Sequence, residues 1–445
     1  MIKENLKKAL VAIITAEAKM ALRTHAPKII AVTGSVGKTS TKDAIYASLK
    51  GSFSVRKSDK SFNSEIGLPL TILGLDTAWS SLGGWVRNVW RGFQVAIGFG
   101  TLGKDFPEWL VLEVGADHPG DIERAAKWLH PDIVVLTRMS ETPVHVEFFA
   151  TSADVLAEKM FLAKALKPGG TLVVNADDQL FMGAVNRMSA DIARISYGES
   201  KSASSRILES EVVYDDSPLL LPRGQYVILS RALEGQPDRV ELRGVLGRHL
   251  MYPIAAAHAV VGIVASAHAK AKGGFASAFA DFESPRGRMR ILDGKSQSAI
   301  IDDTYNSSPL ASMEALKALG ALATRGRKIA VLGDMKELGD LSEKAHGEVG
   351  TLAGQTVHTL VTVGAMGEAY ARGALGAGLA ADRIISFTDS RQAGAYLADM
   401  VRAGDVVLVK GSQSMRMERV SEVLLADPSK AGELLVRQED AWQGR

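Results

Sequence analysis

The residues with the clearest chemical meaning lie near the start of the chain, in Thr33-Gly34-Ser35-Val36-Gly37-Lys38-Thr39-Ser40. Ile29-Ile30-Ala31-Val32 reads as a buried strand just before them, and a helix opens just after. In that setting glycines let backbone N–H groups turn inward on an anion. Lys38 supplies a point charge for the β- and γ-phosphates, and Thr39 offers a hydroxyl to Mg²⁺. Gly34, Ser35, Val36, Gly37, Lys38, Thr39 and Ser40 are therefore the candidate ATP-binding residues. A strict Walker loop has glycine where Val32 stands, so this cradle is shorter and its strand-turn-helix context carries part of the inference. A glycine turn that merely caps a helix is the bland alternative, and the Gly-Lys-Thr run in this context disfavours it.

Glu113 ends a second strand candidate, Leu110–Val114, and precedes Gly115. That puts a carboxylate at the carboxyl edge of a parallel sheet near the loop, where Mg²⁺ favours oxygen; a solvated strand-end glutamate is the alternative. Kinases, switch GTPases and motor ATPases use such loops too, so these residues imply ATP without naming a reaction.

The elements that must position these groups follow from the apolar patterning. From Lys28 to about Tyr197, short β-rich runs (Ile29–Val32, Leu110–Val114, Ile133–Thr137, Leu172–Asn175) alternate with helical stretches, which predicts a parallel sheet flanked by helices. Val212–Tyr214, Tyr226–Leu229 and Val240–Leu242, separated by turn residues, predict a small antiparallel appendage. Pro285-Arg286-Gly287-Arg288 reads as a hinge. Beyond it Ala299–Ile301, Ile329–Leu332, Leu360–Val363, Ile384–Phe387 and Val406–Val409 alternate with helices as in a dinucleotide-fold sheet. The expected fold is α/β: a central P-loop parallel-sheet ATPase domain with the appendage, then a carboxy-terminal dinucleotide-fold-like domain. The boundaries are 1–27 for an amino-terminal helix, 28–287 for the central domain and 288–445 for the second.

Length and composition agree. A chain of 445 residues suggests two or three domains with several cores. A formal net charge of +2 with 23% charged residues argues against a nucleic-acid partner. With no cysteine, disulfides, thiolate metal sites and a thiol nucleophile are excluded, and a reducing cytoplasmic setting fits. Lys3, Lys7 and Lys8 before the apolar run Ala9 to Ile14 resemble a leader, but Glu17 and Lys19 interrupt the pattern and apolar residues continue at helical spacing through Leu22.

Several further segments, in order, resemble the Mur ligase family. They are Thr33–Thr39, Phe62-Asn63-Ser64-Glu65-Ile66-Gly67-Leu68-Pro69-Leu70-Thr71, Leu112-Glu113-Val114-Gly115-Ala116-Asp117-His118-Pro119-Gly120 and Gly247-Arg248-His249. Asp302-Asp303-Thr304-Tyr305-Asn306-Ser307-Ser308-Pro309, Leu332-Gly333-Asp334-Met335-Lys336-Glu337-Leu338-Gly339 and Lys410-Gly411-Ser412-Gln413-Ser414-Met415-Arg416-Met417-Glu418-Arg419 continue the series, over about Ala21 to Leu425. The resemblance implies an ATP-dependent carboxylate–amine ligase acting through an acyl phosphate in cell-wall synthesis, with a small-molecule or peptide-bearing substrate. The last segments are most similar to the dipeptide-adding members, which implies D-alanyl-D-alanine joined to a muramoyl peptide.

Site roles carry over residue by residue. Thr39 and Glu113 would hold one Mg²⁺, while His145 in Pro143-Val144-His145-Val146-Glu147 and Lys159 in Ala157-Glu158-Lys159-Met160-Phe161 would serve a second. Lys159 would act as a carbamate, and Lys38, Lys159 and His145 form the implied catalytic set. Arg288, Asp303 and Asn306 would contribute to the nucleotide site, and Asn63, Ser64, Lys410 and Ser412 to substrate. Asn306-Ser307-Ser308-Pro309 also reads as a helix start, with Asn306 as its cap.

The sequence departs from the family in four places. The loop begins after about thirty residues, where relatives first carry a UDP-gripping domain. Ser64 replaces an asparagine frequent in relatives, and Leu250 and Pro253 stand where relatives have two more, one of them near adenine. An insert spans about 75–107, with Trp79, Trp85, Trp90, Phe93 and Phe99 beside Arg87 and Arg91. Its aromatics are expected to pack on the domain; an interfacial helix for a membrane or partner protein is the sharper reading. Other functions open at this stage are a folylpolyglutamate- or cyanophycin-type ligase and a non-catalytic nucleotide-dependent partner.

Overall fold

The computed structural model describes residues 2–58, 66–78, 81–116, 118–139, 149, 151–231, 234–247, 250–267, 274–280, 282–439 and 442. Among them the strands form two sheets. The first contains β1 (Lys28–Thr33), β2 (Val55–Lys57), β3 (Trp109–Glu113), β4 (Ile133–Leu136), β5 (Thr171–Asn175), β6 (Ala193–Gly198), β7 (Ser205–Tyr214), β8 (Pro222–Arg231) and β9 (Glu234–Arg243), in the order β2-β3-β1-β4-β5-β6-β7-β8-β9. Its first six members are parallel, and β7 joins β6 in parallel before β7, β8 and β9 pair antiparallel. The predicted appendage is thus hydrogen-bonded to the parallel sheet and continues it.

The central strands are apolar throughout because both faces are covered. Ile30, Val32, Val111, Ile133, Val135 and Val173 face one side, where α2 (Lys38–Leu49) and the helix Met251–Ala267 pack. Ile29, Ala31, Leu110, Leu112, Val134, Leu136, Leu172 and Val174 alternate to the other. That second face is covered by α1 (Ile2–His25), α3 (Gly67–Leu73), α4 (Leu82–Ala96) and the helix Ser152–Lys164.

The second sheet contains β10 (Arg290–Gly294), β11 (Ser298–Asp303), β12 (Lys328–Gly333), β13 (Thr359–Val363), β14 (Ile384–Phe387) and β15 (Val406–Lys410), in the order β10-β11-β15-β12-β13-β14. All pairs are parallel except β10–β11. Apolar packing is continuous from the first sheet into one face of the second through Met289, Ile301, Ala330, Leu332 and Leu408, while Ile300, Val331, Val407 and Val409 form a separate core on the other face. The several cores expected from length are therefore partly fused.

Within Pro285-Arg286-Gly287-Arg288, Gly287 has φ 68° and a Cβ there would meet the Tyr305 nitrogen at 2.8 Å, so glycine is required. The strands missed by patterning are β2, β6 and β10, which are short or polar and take their place by pairing with stronger neighbours.

The helix α4 lies in the 75–107 insert, capped by Ser81, whose hydroxyl accepts from the Gly84 N–H at 3.1 Å. Trp85 and Val89 pack inward as expected, and the Thr24 hydroxyl of α1 donates to the Ala96 carbonyl at 2.8 Å. Trp90, Phe93 and Phe99 stay exposed, so packing accounts for only part of the aromatic content; Trp79 lies outside the described residues. No helix among the described residues is long and apolar enough to cross a membrane.

Glu17 of α1 is buried against Gly92, and its Oε2 has no hydrogen-bond partner. Burial pushes its carboxyl up to about 7. A carboxyl raised in the folded state costs stability as pH climbs from its ordinary value through the raised one. Glu17→Gln is therefore expected to raise Tm at pH 8 by about 2–4 °C, with the gap narrowing toward pH 4.5; thermal melts across that range check it.

Candidate active site

The carboxyl ends of β1 and β4 build the anion cradle together. The Ser35 and Val36 N–H groups donate to the Arg138 carbonyl at 2.7 and 3.2 Å, and the Thr137 hydroxyl donates to the Val36 carbonyl at 2.7 Å. Gly34 has φ 152°, and a Cβ there would lie 1.9 Å from the Thr137 Oγ1. Gly37 has φ 86° and forms the N-cap of α2 without a side-chain cap, and no acidic residue follows in the first turn. The positive dipole end of this helix start therefore faces the loop without a competing carboxylate, which favours an anion there. Lys38 reaches back along the loop, its Nζ donating to the Gly34 carbonyl at 2.9 Å.

Glu113 ends β3 as expected. It is buried, lines the same cavity as Lys38 and Thr39, and its Oε2 has no hydrogen-bond partner, with the Lys42 Nζ 3.9 Å away. A buried, unsatisfied carboxylate oxygen beside a threonine hydroxyl suits a hard cation such as Mg²⁺. Lys42 is itself fixed by donating to the Ser58 carbonyl at 2.7 Å, and the Ser58 hydroxyl accepts from the Glu113 N–H at 3.1 Å.

The cavity, about 630 Å³, is closed on its other side by the second sheet. Arg288, Asp303, Asn306, Lys410 and Ser412 line it, as do Ser35, Val36, Gly37 and Ser40. Arg288 lies over the Tyr305 ring at 4.3 Å. The Lys410 Nζ donates to Asp303 Oδ2 at 2.6 Å and to the Asn306 carbonyl at 2.9 Å. The Ser412 hydroxyl accepts from the Lys336 N–H at 2.9 Å. Beneath them Asp302 is buried with one oxygen bonded by Thr304 and Ser421; burial raises its carboxyl to about 6.

One expectation changes. Ser308, not Asn306, caps the helix Pro309–Gly320, leaving Asn306 at the cavity wall. Lys159 is buried on the helix Ser152–Lys164, and neither it nor Gly34 is among the residues lining the cavity. His145, Asn63 and Ser64 lie outside the described residues, as do Arg248 and His249.

Patterning did not single out Arg138, Asn175, Tyr252, Lys336, Glu337 or Trp442, all of which line the cavity. Arg138, Lys336 and Glu337 follow strand ends at the carboxyl edge, a signal the sheet topology makes readable. Glu337 holds φ 64° without being glycine, a strained setting at a site wall. Tyr252 donates to Asp177 and Glu199 at 3.1 and 3.2 Å, and burial followed by those carboxylates holds its phenol well above the ordinary range. Trp442 has no local signal; it reaches the cavity through Arg416, which stacks on its ring and donates to its carbonyl.

Comparison with known proteins gives the same picture from another direction. Residues 94–261 match the Mur ligase middle domain, and residues 287–413 match the Mur ligase, glutamate ligase domain. The UDP-N-acetylmuramoyl-tripeptide–D-alanyl-D-alanine ligase of Mycobacterium tuberculosis (strain H37Rv) is 30% identical over 419 residues, 90% of this chain and 73% of that protein. The Bacillus subtilis protein of the same name is 26% identical over 92% of this chain and 79% of its own length. The MurF ligase from Thermotoga maritima in complex with ADP superposes with a TM-score of 0.72 at 26% identity, over 94% of this chain and 84% of that one. A MurF from Acinetobacter baumannii, 22% identical, shares the fold with a TM-score of 0.73 over 93% and 79%.

The tight approach of loop and strand yields a test. Gly34→Ala is expected to displace the loop and weaken ATP binding tenfold to hundredfold, the scale of about 1–3 kcal/mol of backbone strain. Adding Thr137→Gly to it should recover part of the loss, read by calorimetric titration of Mg²⁺-ATP.

Proposed function

Because this chain belongs to the Mur ligase family, we propose that it is an ATP-dependent ligase that joins D-alanyl-D-alanine to the free carboxylate of a UDP-N-acetylmuramoyl tripeptide, in peptidoglycan synthesis. One observation carries the reading furthest. The phosphate loop of the first sheet and Lys410, Ser412 and Lys336 of the second line a single cavity of about 630 Å³, the scale of a nucleotide site.

A carboxylate is a poor acyl donor because its oxygen leaves badly, and phosphorylation removes that obstacle. The substrate carboxylate attacks the γ-phosphorus of ATP, the bond to the β-phosphate oxygen breaks, and acyl phosphate and ADP result. The dipeptide amine attacks the acyl carbon and loses a proton, and the tetrahedral intermediate collapses to the amide with release of inorganic phosphate. Lys38 and the start of α2 hold the transferring phosphoryl group. Thr39 and Glu113 would hold Mg²⁺, which neutralises charge on the phosphates when bound. His145 and Lys159, the latter as a carbamate, are assigned to a second ion. Burial of Lys159 supports a role held inside the protein over that of a solvated surface lysine.

Arg288 and Asn306 are assigned to the nucleotide from the hinge side, and Asn63 and Ser64 to the acyl substrate. Asp303 acts through Lys410, whose buried ammonium it engages, and these two position the wall beside Ser412 where the amine enters. Tyr252 is assigned to the base, next to Leu250 and Pro253. Approach of the second sheet excludes water that would hydrolyse the acyl phosphate. The chain divides in this reading into 1–27, 28–287 and 288–445, with the exposed part of 75–107 as a peripheral contact surface away from the reacting groups.

Purified protein incubated with Mg²⁺-ATP, UDP-N-acetylmuramoyl tripeptide and D-alanyl-D-alanine is expected to release ADP and phosphate only with both substrates, and to form a product of the condensed mass. Lys38→Ala and Glu113→Ala should each lower kcat by about 10²–10³. Wild-type protein that binds ATP and forms no condensed product would remove this assignment.

A further inference from the structure

We propose that the outer face of α4, with the adjoining rim of α1, is a docking surface for an anionic lipid bilayer. Val86, Trp90, Phe93 and Ile97 recur at i, i+4, i+7 and i+11, so they share one face of the helix. They are 66%, 62%, 42% and 48% exposed, and Phe99, just past the helix end, is 63% exposed. The inner face is already committed, since Trp85, Val89, Val95 and Ala96 pack on the core beside α1. Core packing therefore explains one apolar face of α4 and leaves the second without a function.

The neighbouring helix adds exposed apolar residues of its own. Glu17 of α1 lies against Gly92, and Ile13 and Met20, four residues before and three after it, are both exposed. Trp90 and Phe93 stand with ring centroids 6.3 Å apart. Tryptophan and phenylalanine on a solvent-facing helix that also carries arginine match the composition of segments lying in a headgroup region.

Charge selects the occupant. Between Asp76 and Asp105 the chain has no acidic residue, whereas Arg87, Arg91 and Lys104 fall within that stretch; over the whole chain, 52 basic residues are balanced by 50 acidic ones. Arg87 and Arg91 are exposed beside the apolar stripe. A second copy docking through the same face would bring these arginines together, which like-charge repulsion opposes. A surface of anionic headgroups satisfies them while the aromatics enter the acyl boundary. Among the described residues none of α1 or α4 lines the reaction cavity, so docking leaves it open to substrates. The inference rests on reading the 75–107 segment as peripheral to the reaction, and ligase turnover of the same variants checks that separately.

The test is cosedimentation of the full-length protein with vesicles of phosphatidylcholine alone and of phosphatidylcholine mixed with phosphatidylglycerol. Binding to the mixed vesicles, weakened by salt and absent with phosphatidylcholine alone, is expected. Trp90→Ser with Phe93→Ser should lower partitioning about a hundredfold, roughly tenfold per side chain. Arg87→Gln with Arg91→Gln should lower it about thirty-fold. Both variants should keep wild-type Tm and ligase turnover in solution. Quenching of tryptophan fluorescence by brominated lipid, reduced in the conservative Trp90→Phe variant, reads the same contact without risk to folding. Failure to bind the mixed vesicles, binding indifferent to the Trp90 and Phe93 exchange, or lipid-free self-association abolished by that exchange would each overturn the proposal.

Discussion

The buried ion pair between Lys410 and Asp303 is the contact on which the geometry of the second half depends. One carboxylate accepts from the ammonium at the end of β15 and from the Met289 N–H next to the hinge, while the same ammonium also holds the Asn306 carbonyl. Three segments distant in sequence are thereby tied at one point of the cavity wall. Leaving either charge buried without its partner costs about 3–5 kcal/mol, so the pair constrains position strongly even where its net contribution to stability is modest. Arg437 extends the arrangement, bonding Glu418 at 2.7 Å and the Thr304 carbonyl, and so ties the carboxy-terminal segment to the same wall.

Around that point, two parallel sheets present their carboxyl ends to a common space. Such ends collect helix N-termini and loop N–H groups that the strands do not use, which makes them natural sites for anions. Here the first sheet contributes the loop and Glu113, and the second contributes Lys410, Ser412 and Lys336. The division suits a reaction that must hold a triphosphate, a carboxylate and an amine together while keeping water out. The continuous apolar packing between the sheets sets how far either can move, since close-packed interiors shift between discrete arrangements more readily than they deform.

The same economy is absent from the α1–α4 face. A carboxylate buried against a glycine and a stripe of exposed aromatics both cost the isolated molecule something, in charge burial and in exposed apolar area respectively. Features of that kind persist where a further interaction gives them a use, and none of the residues that form them lines the cavity.

The sequence by itself determined the two α/β halves, the phosphate loop and Glu113, because these are local: apolar runs of strand length and a glycine–lysine–threonine turn express themselves through neighbours a few residues away. It also carried the ordered motifs that bring Arg288, Asp303 and Lys410 to notice. Only the tertiary structure decided that Ser308 and not Asn306 caps its helix, that Lys410 is spent on Asp303, and that Arg138, Tyr252 and Trp442 reach the cavity. It also decided which aromatics of α4 face inward and which face out. Each of those outcomes depends on contacts between residues far apart in the chain, and a hydrogen-bond partner or a buried face has no signature until the strands that supply it are side by side.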